Sequence, residues 1–367
     1  MTKLGNRLVT LALTAAICIN QPAFAEPAPT MAIIDTALDT SIPEIKNNLV
    51  YEVCILDWNS CPNGSSFMEG TGASTMPKAL INLNGFGHGT QMTSTAIRTY
   101  PKLRFVFIRI IANSSSGARL STSEETIVRA LDWVYKNKDR FNFVSIGLAQ
   151  SHHQLRSTKQ YCPLSTRSSE AIRRLLNVGI PLFVASGNNN DKDRVSWPAC
   201  IPEAMAVSAI TNQTISRYSN FDPQLSDFAA IGEMKVMNVG GNITSASGTS
   251  IATHVMAALW TQVRVEFPGF TFQETLEFLN SVSTEVSVGN AKLACPQGVT
   301  GLLCDRGESP KLRWVSADAL NLEIFRRAFP SNEISKATFE ELIRCNLLEE
   351  RPGLLRSQFS KNRFCPN

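Results

Sequence analysis

The sequence predicts an α/β fold built on a mostly parallel sheet. Short β-branched and aromatic runs alternate with stretches of helical periodicity until about Ser283. At 367 residues the chain is long enough for one large core plus a small appendage. The first apolar run also ends in an acid, Asp35, where ligands of open α/β sheets gather outside strand ends.

The elements follow in order. Met31–Ile34 is the first strand, and Tyr51–Gly85, rich in Gly, Ser, Asn and Pro, reads as a surface loop clipped by a Cys54–Cys61 bridge. A helix begins at His88, and Phe105–Ile111 is the next strand. Ser121 and Glu124 have capping-box spacing, so a helix starts near Ser121 and turns Ile127, Val128, Leu131, Val134 and Tyr135 to one face. Phe143–Leu148 is a strand. Ser168–Val178 is a helix with Ile172, Leu175 and Leu176 inward and Gly179 as its stop. Strands Leu182–Ala185 and Met205–Ile210 precede a long helix after Ser250, with Val255, Ala258, Leu259 and Val263 at helical spacing. Thr271 and Glu274 cap the next one. Residues 284–310 are loop-like, and two helical patterns follow, Ser316–Phe329 and Ala337–Leu348. The expected organisation is a leader over 1–25, an α/β unit over 26–283, and a C-terminal extension of loop then helices over 284–367.

The leader has a basic start (Lys3, Arg7), an apolar stretch Leu8–Ile19, and Ala23-Phe24-Ala25 before a cut at Glu26. It predicts export, to the periplasm or the medium, with no membrane insertion once removed, since no other segment is apolar enough to span. A cut there leaves nine residues before Asp35. Cys18 leaves with the leader, so an even number of the nine cysteines remains, which favours disulfides. Proximity pairs Cys54 with Cys61, Cys162 with Cys200, Cys295 with Cys304 and Cys345 with Cys365. The charge of +4, diluted over 35 basic and 31 acidic residues without a dense basic run, argues against a nucleic-acid partner. Nothing in the pattern sets an oligomeric state.

Three segments carry chemistry: Asp35 in MAIIDTALD, His88 in GFGHGTQMTSTA and Ser250 in SASGTSIATHV. A serine hydroxyl needs a base to attack at neutral pH, and that base needs a third group to hold its tautomer. Of four histidines, His152 and His153 lie in a polar stretch and read as surface residues. His254, four residues after Ser250 on the same helical face, is the competing base. Ser250 opens a helix, whose free N–H groups point at developing negative charge. A helix N-cap is the structural alternative for Ser250, and a turn or N-cap for Asp35. The strand leading through Ala185-Ser186-Gly187 presents Asn188, whose amide donates without carrying charge; a turn asparagine is the alternative.

In the order Asp, His, Ser, these segments resemble those of the subtilisin-like serine peptidases, the subtilases. GHGT resembles that family's histidine motif and GTSIAT its nucleophile segment, while the rival hydrolase signature GxSxG is absent. The resemblance covers roughly Met31 to Val263. It implies a subtilisin-like α/β fold, a triad of Asp35, His88 and Ser250, and Asn188 in an oxyanion hole. It also implies a cleft lined by the main chain of Gly147, Leu148 and Ala149 for an extended polypeptide substrate. No cofactor is required for such catalysis. A structural calcium is possible in the family, but Glu44, where many subtilases have an acidic ligand, has no oxygen-rich loop to match.

Four departures stand out. Ala37 replaces a usual Gly after Asp-Thr, so the backbone there must avoid positive φ. Gln91 replaces a common second histidine, and His254 replaces a usual proline, where it either modulates the pH profile or sits solvated. The short stretch before Asp35 leaves no room for the long propeptide the family commonly carries, so the chain is expected to fold without one. The reading favoured is an exported serine endopeptidase. The alternatives are a catalytically silent relative that binds peptides or a partner, and a processing or toxin-like factor whose C-terminal helices select one target.

Overall fold

The computed structural model describes residues 27–82, 85–114, 117–120, 122–149, 162, 167–222, 225–286 and 312–328. The expected leader, the His152-His153 pair, the Cys295–Cys304 and Cys345–Cys365 pairs and the helix at Ala337–Leu348 lie outside the described residues.

The first half of the chain runs β1 (Thr30–Asp35), α1 (Pro43–Asn48), β2 (Leu49–Ile55), β3 (Phe67–Glu69), α2 (Lys78–Ile81), α3 (His88–Thr99), β4 (Phe105–Arg109), α4 (Glu124–Lys136), α5 (Lys138–Phe141) and β5 (Phe143–Leu148). It continues through α6 (Arg167–Leu176), β6 (Leu182–Ala185), β7 (Met205–Thr211), β8 (Thr214–Ile215), β9 (Ser226–Ile231), β10 (Glu233–Met237) and β11 (Ile243–Ser247). Then come α7 (Thr249–Glu266), α8 (Phe272–Ser281), β12 (Thr284–Glu285), β13 (Arg313–Trp314) and α9 (Ala317–Ala328). The main sheet has the order β12-β13-β9-β7-β6-β5-β1-β4-β2-β3, parallel from β13 through β2 and antiparallel at its two edges and where β8 pairs with β7. From β1 the chain goes out to β2 and returns to β4 between the two on one side, then builds outward through β5, β6 and β7 on the other. The switch point therefore lies at the carboxyl ends of β1 and β5.

Side-chain alternation sorts the sheet into two faces. Met31 and Ile33 of β1, with Phe105 and Phe107 of β4, join the core beneath α3 and α7. Ala32, Ile34, Val106 and Ile108 join the opposite core beneath α4 and α6. Helix α7 is buried from Thr249 through Val263, with Trp260 against Phe183 and Phe272. The chain beyond 283 enters the same sheet, since Arg313 and Trp314 pair with Phe228 and Ala229 of β9, and Leu320 and Ile324 of α9 sit in the α7 core.

Two expectations are corrected. Tyr51–Gly85 is not simply a loop: β2 and β3 are strands of the main sheet. Buried Glu52 hid β2 by breaking the apolar run, yet its carboxylate takes the Gly72 N–H, the Ser74 N–H and the Ser74 hydroxyl and so organises the following turns. The N-cap of α4 is Ser123, not Ser121: the Ser123 hydroxyl accepts the Thr126 N–H while Asp57 holds the Ser123 N–H. Asp57 sits 66 residues away, so local spacing could not choose between the two serines. The disulfides Cys54–Cys61 and Cys162–Cys200 are formed.

Candidate active site

Asp35 is the last residue of β1 and fully buried; His88 is the first residue of α3. Two contacts join these elements. The Thr36 hydroxyl donates to the Phe86 carbonyl (2.7 Å) and accepts the Gly89 N–H (2.9 Å). Gly89 permits the approach, since a Cβ there would lie 2.5 Å from the Ala37 carbonyl oxygen and 2.7 Å from Phe107 Cζ. The His88 Nδ1 then lies 2.8 Å from Asp35 Oδ1 and 2.9 Å from Oδ2, a two-oxygen contact that places the proton on Nδ1. Burial alone would raise the Asp35 carboxyl. The charge and hydrogen bond of His88, with smaller help from His254 and the Thr36 N–H, lower it instead to about 2.

Ser250 lies in the first turn of α7, and its hydroxyl reaches toward the Ala149 carbonyl just past β5, at 3.5 Å. That bond is long enough to be given up cheaply. Because β5 pairs with β1, Ser250 and the Asp35–His88 pair share one end of the sheet, and α3 packs on α7. Helix α7 begins after Gly248, whose φ of 152° suits glycine. Its first N–H groups, that of Ser250 included, have no intrahelical acceptor.

Asn188 is held by the same turn. Its Oδ1 accepts the Thr249 N–H (2.9 Å) and the Thr249 hydroxyl (3.0 Å), so the amide is oriented with Nδ2 available as donor. Thr249 Oγ1 in turn accepts the Gly187 N–H at 3.2 Å. Gly147 and Leu148 lie within β5, flanked by β1 and β6, whereas Ala149 stands just beyond the strand end. Glu44 is exposed on α1, and among the described residues no group of three or more His, Cys, Asp or Glu is placed to hold a metal.

Several residues of this arrangement were not singled out from the sequence. Thr36 and Thr249 adjoin Asp35 and Ser250, so adjacency was an unused signal. Asn220 carried none: its side-chain oxygen takes the N–H groups of Asn189 and Asp191 and shapes the turn bearing Asn188. Arg119 also carried none. It reaches over Gly85, its Nη1 3.4 Å from where a Cβ would stand, and burial lowers its guanidinium while the Asp35 charge acts the other way.

A model of the subtilase family matches residues 27–298. The chain belongs to the subtilase family. Among known relatives, it is 26% identical over 232 residues to a cuticle-degrading protease of Metarhizium anisopliae, covering 62% of this chain and 51% of that one. It is 23% identical over 208 residues to a thermostable alkaline protease of Halalkalibacterium halodurans, covering 54% of this chain and 52% of that one. The chain thus spans about half the length of these relatives. The fold resembles a cold-adapted subtilisin-like serine proteinase, with a TM-score of 0.55 at 21% identity over 79% of this chain and 89% of that one. It likewise resembles the S41 psychrophilic protease, with a TM-score of 0.57 at 17% identity over 79% and 92%.

In this subtilase the family departures have definite places. Ala37 is buried and keeps an ordinary negative φ. Gln91 reaches Asn238 Oδ1 at 3.5 Å. His254 is neither solvated nor a base for the nucleophile. It is fully buried, and its Nδ1 lies 3.0 Å from the Ser250 carbonyl, not its hydroxyl. Burial lowers its imidazole to about 4, although the Asp35 charge and the Ser250 carbonyl act the other way.

Proposed function

We propose that this subtilase is an exported serine endopeptidase that cleaves polypeptides through Asp35, His88 and Ser250. The observation that carries the reading is the buried Asp35 carboxylate gripping His88 Nδ1, beside the helix N-terminus that bears Ser250. With Nδ1 committed to Asp35, Nε2 is the nitrogen that takes the Ser250 proton as the hydroxyl attacks the scissile carbonyl. Asp35, held ionised, stabilises the imidazolium, which then delivers the proton to the leaving amine. The tetrahedral oxyanion is met by the Asn188 amide and the Ser250 N–H, both preset by the first turn of α7. Water then releases the acyl group by the same proton route in reverse.

An extended peptide along this segment would find main-chain partners only from Ala149 onward, because Gly147 and Leu148 already pair with β1 and β6, and the Ala149 carbonyl faces the Ser250 hydroxyl. Export is supported by the leader pattern and by the two disulfides. The test is a fluorophosphonate probe on the oxidised protein, beside Ser250→Ala and His88→Ala, with the labelled peptide mapped by mass spectrometry. Labelling at Ser250 that both variants lose is the expected result. A folded, oxidised protein that never labels overturns the catalytic reading and favours a peptide-binding relative.

A further inference from the structure

His254 is the buried imidazole that this mechanism leaves unused. Its Nδ1 faces a carbonyl oxygen, which only accepts, so Nδ1 carries the proton and donates to Ser250. Its Nε2 is then a lone-pair acceptor, buried, with no hydrogen-bond donor among the described residues. That edge of the ring faces Gly147, where a Cβ would lie 3.1 Å from Nε2, 3.2 Å from Cδ2 and 2.7 Å from Met31 Cε. The surroundings of Nε2 suit an apolar side chain better than an imidazole.

What the imidazole supplies and an apolar side chain does not is the Nδ1–H. An α-helix gives the Ser250 carbonyl one main-chain donor, the His254 N–H, and the ring adds a second from the same residue. The ring itself rests on Gly147, and two residues further along the chain the Ala149 carbonyl faces the Ser250 hydroxyl. Segment 147–149 thereby borders Ser250 at both ends, directly at its hydroxyl and through the ring at its carbonyl. We propose that His254 is a positioning residue that holds the main chain of Ser250, and with it the direction of the hydroxyl and the oxyanion-binding N–H. The inference rests on Ser250 being the nucleophile.

Three variants separate this role from packing. In His254→Asn the amide nitrogen takes the place of Nδ1, in His254→Gln it takes the place of Nε2, and His254→Met keeps volume without a donor. Each is measured for kcat and KM on a peptide substrate, for fluorophosphonate labelling rate, and for Tm in a Ser250→Ala background. The expected result is that activity and stability cross. His254→Met and His254→Gln lose at least tenfold in kcat and labelling rate with KM within twofold, while His254→Met keeps or raises Tm. His254→Asn retains most of kcat despite a lower Tm. A His254→Met enzyme with wild-type kcat overturns the proposal, as does a loss of kcat that tracks Tm across all three variants. If wild-type protein neither labels nor cleaves, the catalytic reading has failed and this inference falls with it.

Discussion

Replacing His254 by methionine should flatten the acid dependence of stability. The folded imidazole titrates at about 4 because it is buried, against 6.5 for an unperturbed histidine. Between those values the unfolded chain binds a proton that the folded chain refuses, so stability falls as pH drops from about 6.5 to 4. At 1.36 kcal/mol per pKa unit this single group removes about 3 kcal/mol between pH 7 and pH 4. Asp227 works against it over much of the same range. Burial raises its carboxyl to about 7 even though it accepts the Ala206 N–H, so its contribution grows as pH falls toward 4. The wild-type slope therefore mixes opposing contributions, and the informative quantity is wild type minus His254→Met. Urea unfolding at 25 °C, followed by tryptophan fluorescence from pH 7 to pH 4 in a Ser250→Ala background, measures it. The two stability curves should draw apart by about 3 kcal/mol toward acid, methionine being the more stable, or converge and then cross if methionine starts lower. Parallel curves would refute the reasoning, because a ring that titrates like a solvated histidine cannot be the buried neutral group described above.

Three further outcomes are expected. Asn188→Ala should lower kcat by about 10²–10³ with little change in KM, read by steady-state kinetics, because only the transition state presents an oxyanion. Gly89→Ala forces a Cβ against the Ala37 carbonyl, so it should cost at least about 1–3 kcal/mol and loosen the His88–Asp35 pair, seen as a lower Tm together with slower fluorophosphonate labelling. Removing the Cys162–Cys200 bridge, with its sequence separation of 38, should cost about 4 kcal/mol in urea unfolding, more than the loss of Cys54–Cys61, separation 7, at about 2 kcal/mol. Equal losses from the two bridges would contradict a chain-entropy origin.

Much of this protein is local in origin and could be read along the chain. The alternation in Met31–Ile34 sorts β1 between two cores, and the Thr271–Glu274 capping box forms as its spacing predicts. The placement of Asp35, His88 and Ser250 was legible because each stands in a short segment that puts it at a strand end or helix start. Those signals depend on neighbours within one or two turns, the range over which backbone periodicity and capping act.

Polar groups taken out of water were decided elsewhere. Glu52 lies in a strand because residues twenty positions away satisfy its carboxylate. Ser123 caps α4 in place of Ser121 because Asp57 arrives from another loop. Asn188 has a fixed donor direction because Thr249, 61 residues on, holds its oxygen. For His254 the sequence allowed a competing base, a modulator of the pH profile or a solvated ring, and the ring lies in the core on bare Gly147. The sequence by itself determined which residue types could form strands, helices and a nucleophilic site. Tertiary structure decided which polar side chains are buried and what they face, because a buried donor or acceptor is tolerable only beside a partner, and those partners are distant in the chain.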